Sequence, residues 1–258
     1  MPRLAHATTE GAPFHLPAEV AGWAFFIDID GTLIDIAPTP EAVFVPPWLP
    51  AALERLTERL GGALALVSGR AIAGIDDLLA PARLAAAGLH GDELRFPGEA
   101  VETQPAPPAL ARLRPRLAAL VAGWPGAFFE DKGSAIAVHY RGNPEAGPAI
   151  IAAIDGMIAD FASELSAQPG KMVVEIKPAR AGKDKAVRAL MARPPFLGRR
   201  PLVLGDDFTD ETMFRAANDL GGVAIRVGHG DRPTEAAYHL PDPQAVREWI
   251  AELAETPA

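Results

Sequence analysis

Short apolar runs alternate with helical stretches through the first 90 residues of the chain. Apolar residues dominate positions 24–29, 63–67 and 84–87, which have the lengths expected of buried strands. Between them, apolar positions recur at helical spacing over residues 50–60 and 72–79. Strands that alternate with helices are typical of a parallel sheet covered on both faces, so we predict an α/β protein with a Rossmann-like core.

The pattern changes at residues 105–108, which read Pro-Ala-Pro-Pro. Such a stiff segment cannot continue a helix or a strand and is typical of a linker. An amphipathic helix that begins near Leu110 follows it, and then come two short segments at 127–132 and 134–141, the second with apolar and polar residues in alternation.

A second amphipathic stripe runs from Ile150 to Leu165, and a strand is predicted at residues 171–177. These elements make a small α+β unit. The parallel pattern resumes at Lys183, so the unit is an insertion into a larger domain. The predicted domains are a core of residues 1–104 and 181–258 and an inserted α+β cap of residues 105–180.

Two acids follow the first apolar run, in the segment Asp28-Ile29-Asp30-Gly31-Thr32-Leu33. Residues i and i+2 of a strand project to the same side, so both carboxylates would face the cleft beyond the strand's carboxyl end. Their mutual repulsion is relieved by a proton on one of them or by a cation such as Mg²⁺. Asp28 could then be a nucleophile and Asp30 a general acid and base. The competing interpretation is an ordinary Asp-Gly-Thr turn.

Three further segments carry polar groups that suit phosphoryl transfer. Ser68 begins Ser-Gly-Arg directly after the second strand, and Asp206 and Asp207 follow a third strand at residues 201–204. Lys183 lies at the opening of a predicted helix. A nucleophile, a hydroxyl donor, a fixed cation and carboxylates that hold Mg²⁺ are the parts that a metal-dependent phosphoryl transfer needs.

Each of these residues also has a purely structural interpretation. Ser68 before a glycine is a common turn former. Lys185 competes with Lys183 as the fixed cation, although its place relative to Val187 favours a solvated surface position. Asp210 is suited to cap the helix that carries Met213.

The ordered set of motifs resembles the haloacid dehalogenase superfamily of phosphatases and, more narrowly, the trehalose-6-phosphate phosphatase family, over nearly the whole chain. The resemblance implies that Asp28 is the nucleophile, Asp30 the general acid and base, and that Ser68 and Lys183 bind phosphate. It implies Mg²⁺ as the cofactor. The implied metal residues are Asp28, Asp30 through its backbone carbonyl, Asp206 and Asp207.

Charged residues alternate along the predicted cap strands, as they do on many solvent-facing sheets. Residues 130–134 and 170–178 nevertheless resemble the sugar-binding cap motifs of the same family. The resemblance implies contacts from the cap to the distal glucose, and Gly88-Leu89-His90-Gly91 resembles a family loop on the core side. The implied substrate-binding set is His90, Glu130, Lys132, Arg141, Lys171 and Glu175.

The function implied by the resemblance is hydrolysis of trehalose 6-phosphate to trehalose and phosphate through an aspartyl-phosphate. One alternative is a related phosphatase acting on sucrose phosphate or mannosylglycerate phosphate, which would differ in its cap residues. Another is a non-catalytic sugar-phosphate sensor, against which the intact acids Asp28 and Asp30 argue.

Composition sets limits around this hypothesis. The 258 residues are 49% hydrophobic and 22% charged, as in soluble globular proteins, and no apolar run approaches the roughly 20 residues that cross a bilayer. No secretory signal is visible, so we expect a cytoplasmic location, and without cysteines the chain has no disulfides or thiolate metal sites. The plain expectation for a capped enzyme of this kind is a monomer. A net charge of −9 argues against nucleic acid as a partner. It will not steer an anionic substrate, so we expect activity to depend on the metal.

Overall fold

The chain folds into two units that are each built around their own core. The computed structural model describes residues 7–8, 13–14, 20, 22–37, 43–170, 172–228 and 233–255. One unit, the core unit, combines Met1–Glu102 with Lys183–Ala258, and the other, the insert unit, spans Thr103–Gly182.

In its described residues, the core unit contains a sheet of eight strands and five α-helices. A two-stranded sheet of β1 (Ala7–Thr8) and β2 (Pro13–Phe14) precedes them. The eight strands are β3 (Trp23–Ile27), β4 (Leu64–Val67), β5 (Ala85–Gly88), β6 (Glu93–Arg95), β7 (Glu102–Thr103), β12 (Arg200–Gly205), β13 (Val223–Val227) and β14 (Tyr238–Leu240). The helices are α1 (Leu49–Arg59), α2 (Ile72–Leu79), α5 (Lys183–Met191), α6 (Glu211–Asp219) and α7 (Pro243–Glu255).

Buried apolar residues of the strands hold the helices on both faces of this sheet. On one face, Phe25 and Leu66 share a cluster with Leu53 of α1 and Trp249 of α7. Side chains of the alternate strand positions, together with α5 and α6, form the cluster on the opposite face. Every residue of β3 and β4 is buried, which is the pattern of strands covered on both sides and explains why their sequences are continuously apolar.

The strand order is β14-β13-β12-β3-β4-β5-β6-β7, and β14 through β5 are parallel. The chain continues from β3 to β4 on one side, whereas β12 lies on the other side of β3. This reversal makes the carboxyl end of β3 a topological switch point, where open α/β sheets bind their ligands. The predicted α/β class with a largely parallel core sheet is confirmed.

The insert unit consists of two helices packed on one face of an antiparallel sheet. Its strands are β8 (Phe128–Asp131), β9 (Ile136–His139), β10 (Leu165–Gly170) and β11 (Val173–Pro178), in the order β10-β11-β9-β8. Its helices are α3 (Pro108–Ala122) and α4 (Gly147–Ile158). Leu113 of α3, Ile150 of α4 and Val138 of β9 lie in its core.

The predicted stripe from Ile150 to Leu165 is wrong in its second half. Helix α4 ends at Ile158, a 3-10 turn covers Ala159–Phe161, and Leu165 begins strand β10. Ile150 and Leu165 are buried in the same core, so the apolar spacing continues across a change of secondary structure. The sequence pattern did not separate a buried strand residue from the next turn of a helix.

Candidate active site

The loop after β3 brings Asp28 beside the end of β12. The amide of Asp28 donates to the carbonyl of Leu204 in β12, and a tight turn follows in which Leu33 and Ile34 both donate to the carbonyl of Ile29. Gly31 has φ +93°, and a Cβ at this position would lie 2.2 Å from Oδ2 of Asp206. Glycine is required here because any side chain would occupy the space of that carboxylate.

Lys183 links two buried acids of the core unit. It is only 4% exposed, and its Nζ lies 2.6 Å from Oδ1 of Asp28 and 2.6 Å from Oδ1 of Asp210. Burial alone would lower the pKa of Lys183, but Asp210 and Asp28 together raise it above its ordinary value. Lys183 is therefore a fixed cation, whereas Lys185 is exposed on the next part of α5.

Asp210 holds the loop after β12 through backbone contacts. Its Oδ2 accepts from the amides of Asp206 and Asp207, each at 3.0 Å. Gly205 makes room for it, because a Cβ there would lie 2.4 Å from Cβ of Asp210. Asp210 precedes α6, as the capping interpretation expects, but its side chain makes no capping hydrogen bond to that helix.

The acids of this cluster are electrostatically unfavourable as a group. Burial raises the pKa of Asp206 to about 6, with the charge of Asp210 adding to the effect. Burial also raises the pKa of Asp28 well above its ordinary value, with Lys183 opposing and Asp210 reinforcing the shift. One lysine thus offsets only part of the repulsion and desolvation of three carboxylates.

The donor set fits a hard divalent cation. Carboxylate oxygens of Asp28, Asp206 and Asp210 all lie within 4.8 Å of one another. Oxygen donors of this kind suit Mg²⁺ or a similar ion. Its positive charge would also lower the raised pKa values of Asp28 and Asp206. The acidic cluster could therefore hold a metal ion.

Asp30 and Ser68 are held by the same arginine. Nε and Nη2 of Arg70 lie 2.7 and 2.6 Å from the two carboxylate oxygens of Asp30. The backbone amide of Arg70 donates to Oγ of Ser68 at 3.1 Å. Ser68 is buried, and as an acceptor from Arg70 its hydroxyl keeps a proton with which to donate.

His90 and Asp207 lie at the edges of this loop system. His90 is buried in a 3-10 turn, Leu89–Gly91, and its backbone amide donates to the carbonyl of Ser68 at 2.9 Å. Its φ of +56° is unusual for a residue with a side chain. Asp207 accepts from the amide of Phe208 and caps the 3-10 turn Phe208–Asp210, so its carboxylate is outside the three-acid group.

The insert unit brings together several of the predicted sugar-binding residues. Nζ of Lys132 lies 2.6 Å from Oε1 of Glu175, which stands on the neighbouring part of the same sheet. Oε2 of Glu130 lies 3.1 Å from Nε2 of His139. Arg141 is exposed, and Lys171 lies outside the described residues.

Two residues next to these acids were not predicted as part of the site. Arg70 belongs to the Ser-Gly-Arg segment, but nothing in the spacing of Asp30 and Arg70 indicates that they pair. His139 ends β9, and its alternation with Arg141 two residues on is the one sequence signal for its place on the same face as Glu130.

The strand order of the core sheet and its inserted α+β unit are those of a phosphatase fold of the haloacid dehalogenase type. The solved C-terminal domain of a C. albicans trehalose-6-phosphate phosphatase has this fold, with a TM-score of 0.80 and 22% identity, and the match covers 92% of this chain and 93% of that one.

Comparison with known sequences shows which family of phosphatases the chain belongs to. A family profile described as trehalose-phosphatase matches residues 26–244. The chain is 46% identical over 239 residues to a probable trehalose-phosphate phosphatase of Sinorhizobium fredii, covering 93% of this chain and 90% of that protein. It is 39% identical over 235 residues to the trehalose-6-phosphate phosphatase of Escherichia coli, covering 91% and 87%. The chain belongs to the trehalose-phosphatase family, which confirms the resemblance of its motifs.

Proposed function

We propose that this protein hydrolyses trehalose 6-phosphate to trehalose and phosphate, with Asp28 as the nucleophile. The observation that carries the proposal is the cluster of buried Asp28, buried Lys183 and half-buried Asp206 at the switch point of a sheet in a chain of this family. The substrate is the one named for the relatives that this chain resembles over about nine-tenths of its length.

In the first step, a carboxylate oxygen of Asp28 attacks phosphorus and the bond to the sugar O6 breaks. Asp30 donates its proton to the departing O6, which leaves as a hydroxyl. In this step Asp30 must turn away from the guanidinium of Arg70, because that group contacts both oxygens of Asp30 and, having only donors, cannot accept a proton from them.

In the second step, Asp30 takes a proton from a water molecule that attacks the phosphorus of phospho-Asp28. The acyl-phosphate bond breaks, phosphate leaves and the carboxylate of Asp28 is restored. Lys183 and the hydroxyl of Ser68 hold the phosphoryl oxygens in both steps, because one is a fixed buried cation and the other a hydroxyl donor.

Mg²⁺ is the cofactor that best suits these residues, and Asp28 and Asp206, with the backbone carbonyl of Asp30, would hold it. When bound, it neutralises charge on the phosphoryl oxygens. Asp210 fits a positioning role better than a ligand role, because its two oxygens are engaged by Lys183 and by two backbone amides. Asp207, a predicted ligand, caps a turn and supports the same loop.

The insert unit is proposed to act as the cap that selects the sugar. Glu130, Lys132 and Glu175 bring both signs of charge to one sheet face, as recognition of many sugar hydroxyls requires. Lys171, Arg141 and, from the core unit, His90 remain predicted substrate contacts on the strength of the motif resemblance.

Two expectations about the whole protein remain predictions. Among the helices in the described part of the chain, none has the length and apolar character needed to cross a membrane. The cytoplasmic location and the monomeric state still rest on the sequence interpretation.

The decisive experiment measures phosphate release from trehalose 6-phosphate, sucrose 6-phosphate, glucose 6-phosphate and an aryl phosphate, with Mg²⁺ and with a chelator. We expect metal-dependent turnover that strongly favours trehalose 6-phosphate. Asp28→Asn should abolish release from every ester, whereas Asp77→Asn, an exposed acid on α2, should behave as the wild type. A different preferred sugar would overturn the substrate assignment, and full activity of Asp28→Asn would overturn the mechanism.

A further inference from the structure

One face of the insert sheet carries an exposed aromatic side chain among its charged residues. Phe129, Val138 and Val174 point toward the helices α3 and α4 and lie in or against the core of the unit. Because side chains alternate along a strand, Phe128 and His139 point to the opposite face. We call this opposite face, with Phe128, Glu130, Lys132, His139 and Glu175, the polar face.

Phe128 and His139 form a stacked pair on the polar face. The two residues are directly opposite in the register of β8 and β9, their ring centroids lie 4.7 Å apart, and the ring planes differ by 14°. Phe128 nevertheless remains 58% exposed. A large aromatic side chain that is this exposed beside charged groups is available to contact a ligand that has both apolar and polar surfaces.

His139 also determines where the carboxylate of Glu130 lies. Its Nε2 is 3.1 Å from Oε2 of Glu130, and this hydrogen bond is the main reason that the pKa of Glu130 is below its ordinary value. An ionised carboxylate can only accept, so Nε2 of His139 donates. Stacking on Phe128 holds the imidazole plane, and the imidazole in turn holds the carboxylate.

We propose that Phe128 is a specificity residue that stacks on the apolar face of a substrate sugar ring, and that His139 is the positioning residue that aligns Glu130 with the hydroxyls of that ring. The inference rests on the proposed function of the insert unit and adds to it two residues and a mode of recognition. Sugar rings present C–H groups on their faces and hydroxyls at their edges, so a planar aromatic beside fixed charges of both signs matches both surfaces.

The ion pair of Lys132 and Glu175 also supports the proposal that the polar face binds a sugar ring. These side chains are mostly buried and held at 2.6 Å, which gives the polar face a rigid donor and acceptor near Glu130. A disaccharide offers two rings, and the ring that carries no phosphate has only C–H faces and hydroxyls for recognition. The aromatic stack is therefore expected to matter for the sugar and not for the phosphoryl chemistry.

The first test compares Phe128→Ala, Phe128→Leu and Phe128→Trp on trehalose 6-phosphate and on an aryl phosphate. We expect KM for trehalose 6-phosphate to rise about three- to tenfold in Phe128→Ala, from loss of an aromatic contact, with kcat and aryl phosphate turnover unchanged. Phe128→Leu should remain impaired because it lacks a ring plane, and Phe128→Trp should recover the wild-type KM. Leu197→Ala, which truncates an exposed apolar residue of the core unit, is the matched control.

The second test separates the two roles of His139. His139→Phe keeps a ring against Phe128 and removes the donor to Glu130, whereas His139→Gln keeps a donor and removes the ring. If His139 positions Glu130, His139→Gln should retain more activity on trehalose 6-phosphate than His139→Phe does. Adding Glu130→Ala to His139→Phe should then cause little further loss, because the two changes remove the same contact.

The outcomes distinguish this inference from the function on which it rests. If the wild type does not hydrolyse trehalose 6-phosphate, the proposed function fails. If the wild type does so and Phe128→Ala changes both substrates equally, or neither, the stacking role is overturned. Equal activity of His139→Phe and His139→Gln, with additive losses on Glu130→Ala, would overturn the positioning role.

Discussion

At the scale of single residues, two glycines make the acidic site possible. Gly31 and Gly205 lie against the carboxyl groups of Asp206 and Asp210, and a Cβ at either position would overlap those side chains. The acids can approach one another only because these backbone positions carry no side chain.

Gly31→Ala should therefore lower the free energy of unfolding by more than backbone strain alone accounts for. Gly198 has a similar positive φ of +81°, but a Cβ added there would have no neighbour within 4 Å, so Gly198→Ala measures the strain alone, roughly 1–2 kcal/mol. We expect urea unfolding to give a larger loss of free energy for Gly31→Ala, and phosphate release to fall only in that variant. Equal unfolding free energies with unchanged activity would contradict the crowding argument.

At the scale of elements, Lys183 joins the start of α5 to the loops after β3 and β12. Its ammonium group neutralises Asp28 and Asp210, which come from those two loops. A fixed charge at the first residue of a helix thus ties together three segments that are far apart in sequence. Loss of the Lys183 charge should therefore lower the free energy of unfolding as well as the rate of phosphate release.

Lys183→Met should destabilise the core unit by roughly 3–5 kcal/mol, because it leaves two buried carboxylates without their cation. Lys185→Met, two residues along the same helix and exposed, should change the unfolding free energy by less than about 0.5 kcal/mol. Chemical denaturation followed by circular dichroism measures both. Similar losses in the two variants would show that the buried ion pairs contribute no more than a surface lysine does.

The charged residues of the insert sheet lead to a separate prediction about which substrate is preferred. Glu130→Ala should lower kcat/KM for trehalose 6-phosphate about ten- to a hundredfold, from loss of a charged hydrogen-bond acceptor, and leave turnover of an aryl phosphate nearly unchanged. Glu145→Ala removes an exposed glutamate from the same unit and serves as the control. Equal losses on both substrates would remove the sugar-binding role of Glu130.

At the scale of the whole molecule, electrostatics work against the proposed reaction until a cation binds. The chain has a net charge of −9, and its substrate is an anion. Within the site, burial and Asp210 raise the pKa of Asp206 to about 6. A bound divalent cation would lower the pKa of Asp206 again. Close to the site, it would also offset the negative charge that repels an anionic substrate.

Mg²⁺ should accordingly stabilise the folded protein. At a hundred times its dissociation constant, a ligand that binds only the native state adds about 2.7 kcal/mol, which corresponds to a rise of several degrees in melting temperature. Calorimetry with Mg²⁺, with a chelator and with NaCl of matched ionic strength measures this rise. Asp206→Asn should abolish it, and the same rise in that variant would show that Mg²⁺ binds elsewhere.

The sequence predicted best those elements whose residue pattern identifies them without reference to the rest of the chain. The strands β3 and β4 are apolar throughout because both their faces are covered, and they were predicted within one or two residues of their ends. Strand β10 was missed, because Leu165 continues the helical spacing of α4 and the strand ends in Pro169 and Gly170, two residue types that are uncommon in strands. The strands β6 and β7 were also not predicted. They are short, and they are the last two strands at one end of the sheet, with β7 at its edge, where the apolar pattern is weak.

Sequence by itself determined which residues we propose for the chemistry of this protein: the acids after β3 and β12, the serine after β4 and the lysine that opens α5. It could do so because parallel strands bring their carboxyl ends to one edge, so that motif order implies proximity. Only the tertiary structure decided how these groups are paired. Lys183 contacts Asp28 and Asp210, Arg70 binds Asp30, and Phe128 stacks on His139. These contacts join residues of different elements, and the distances between their side chains are set by packing rather than by spacing along the chain.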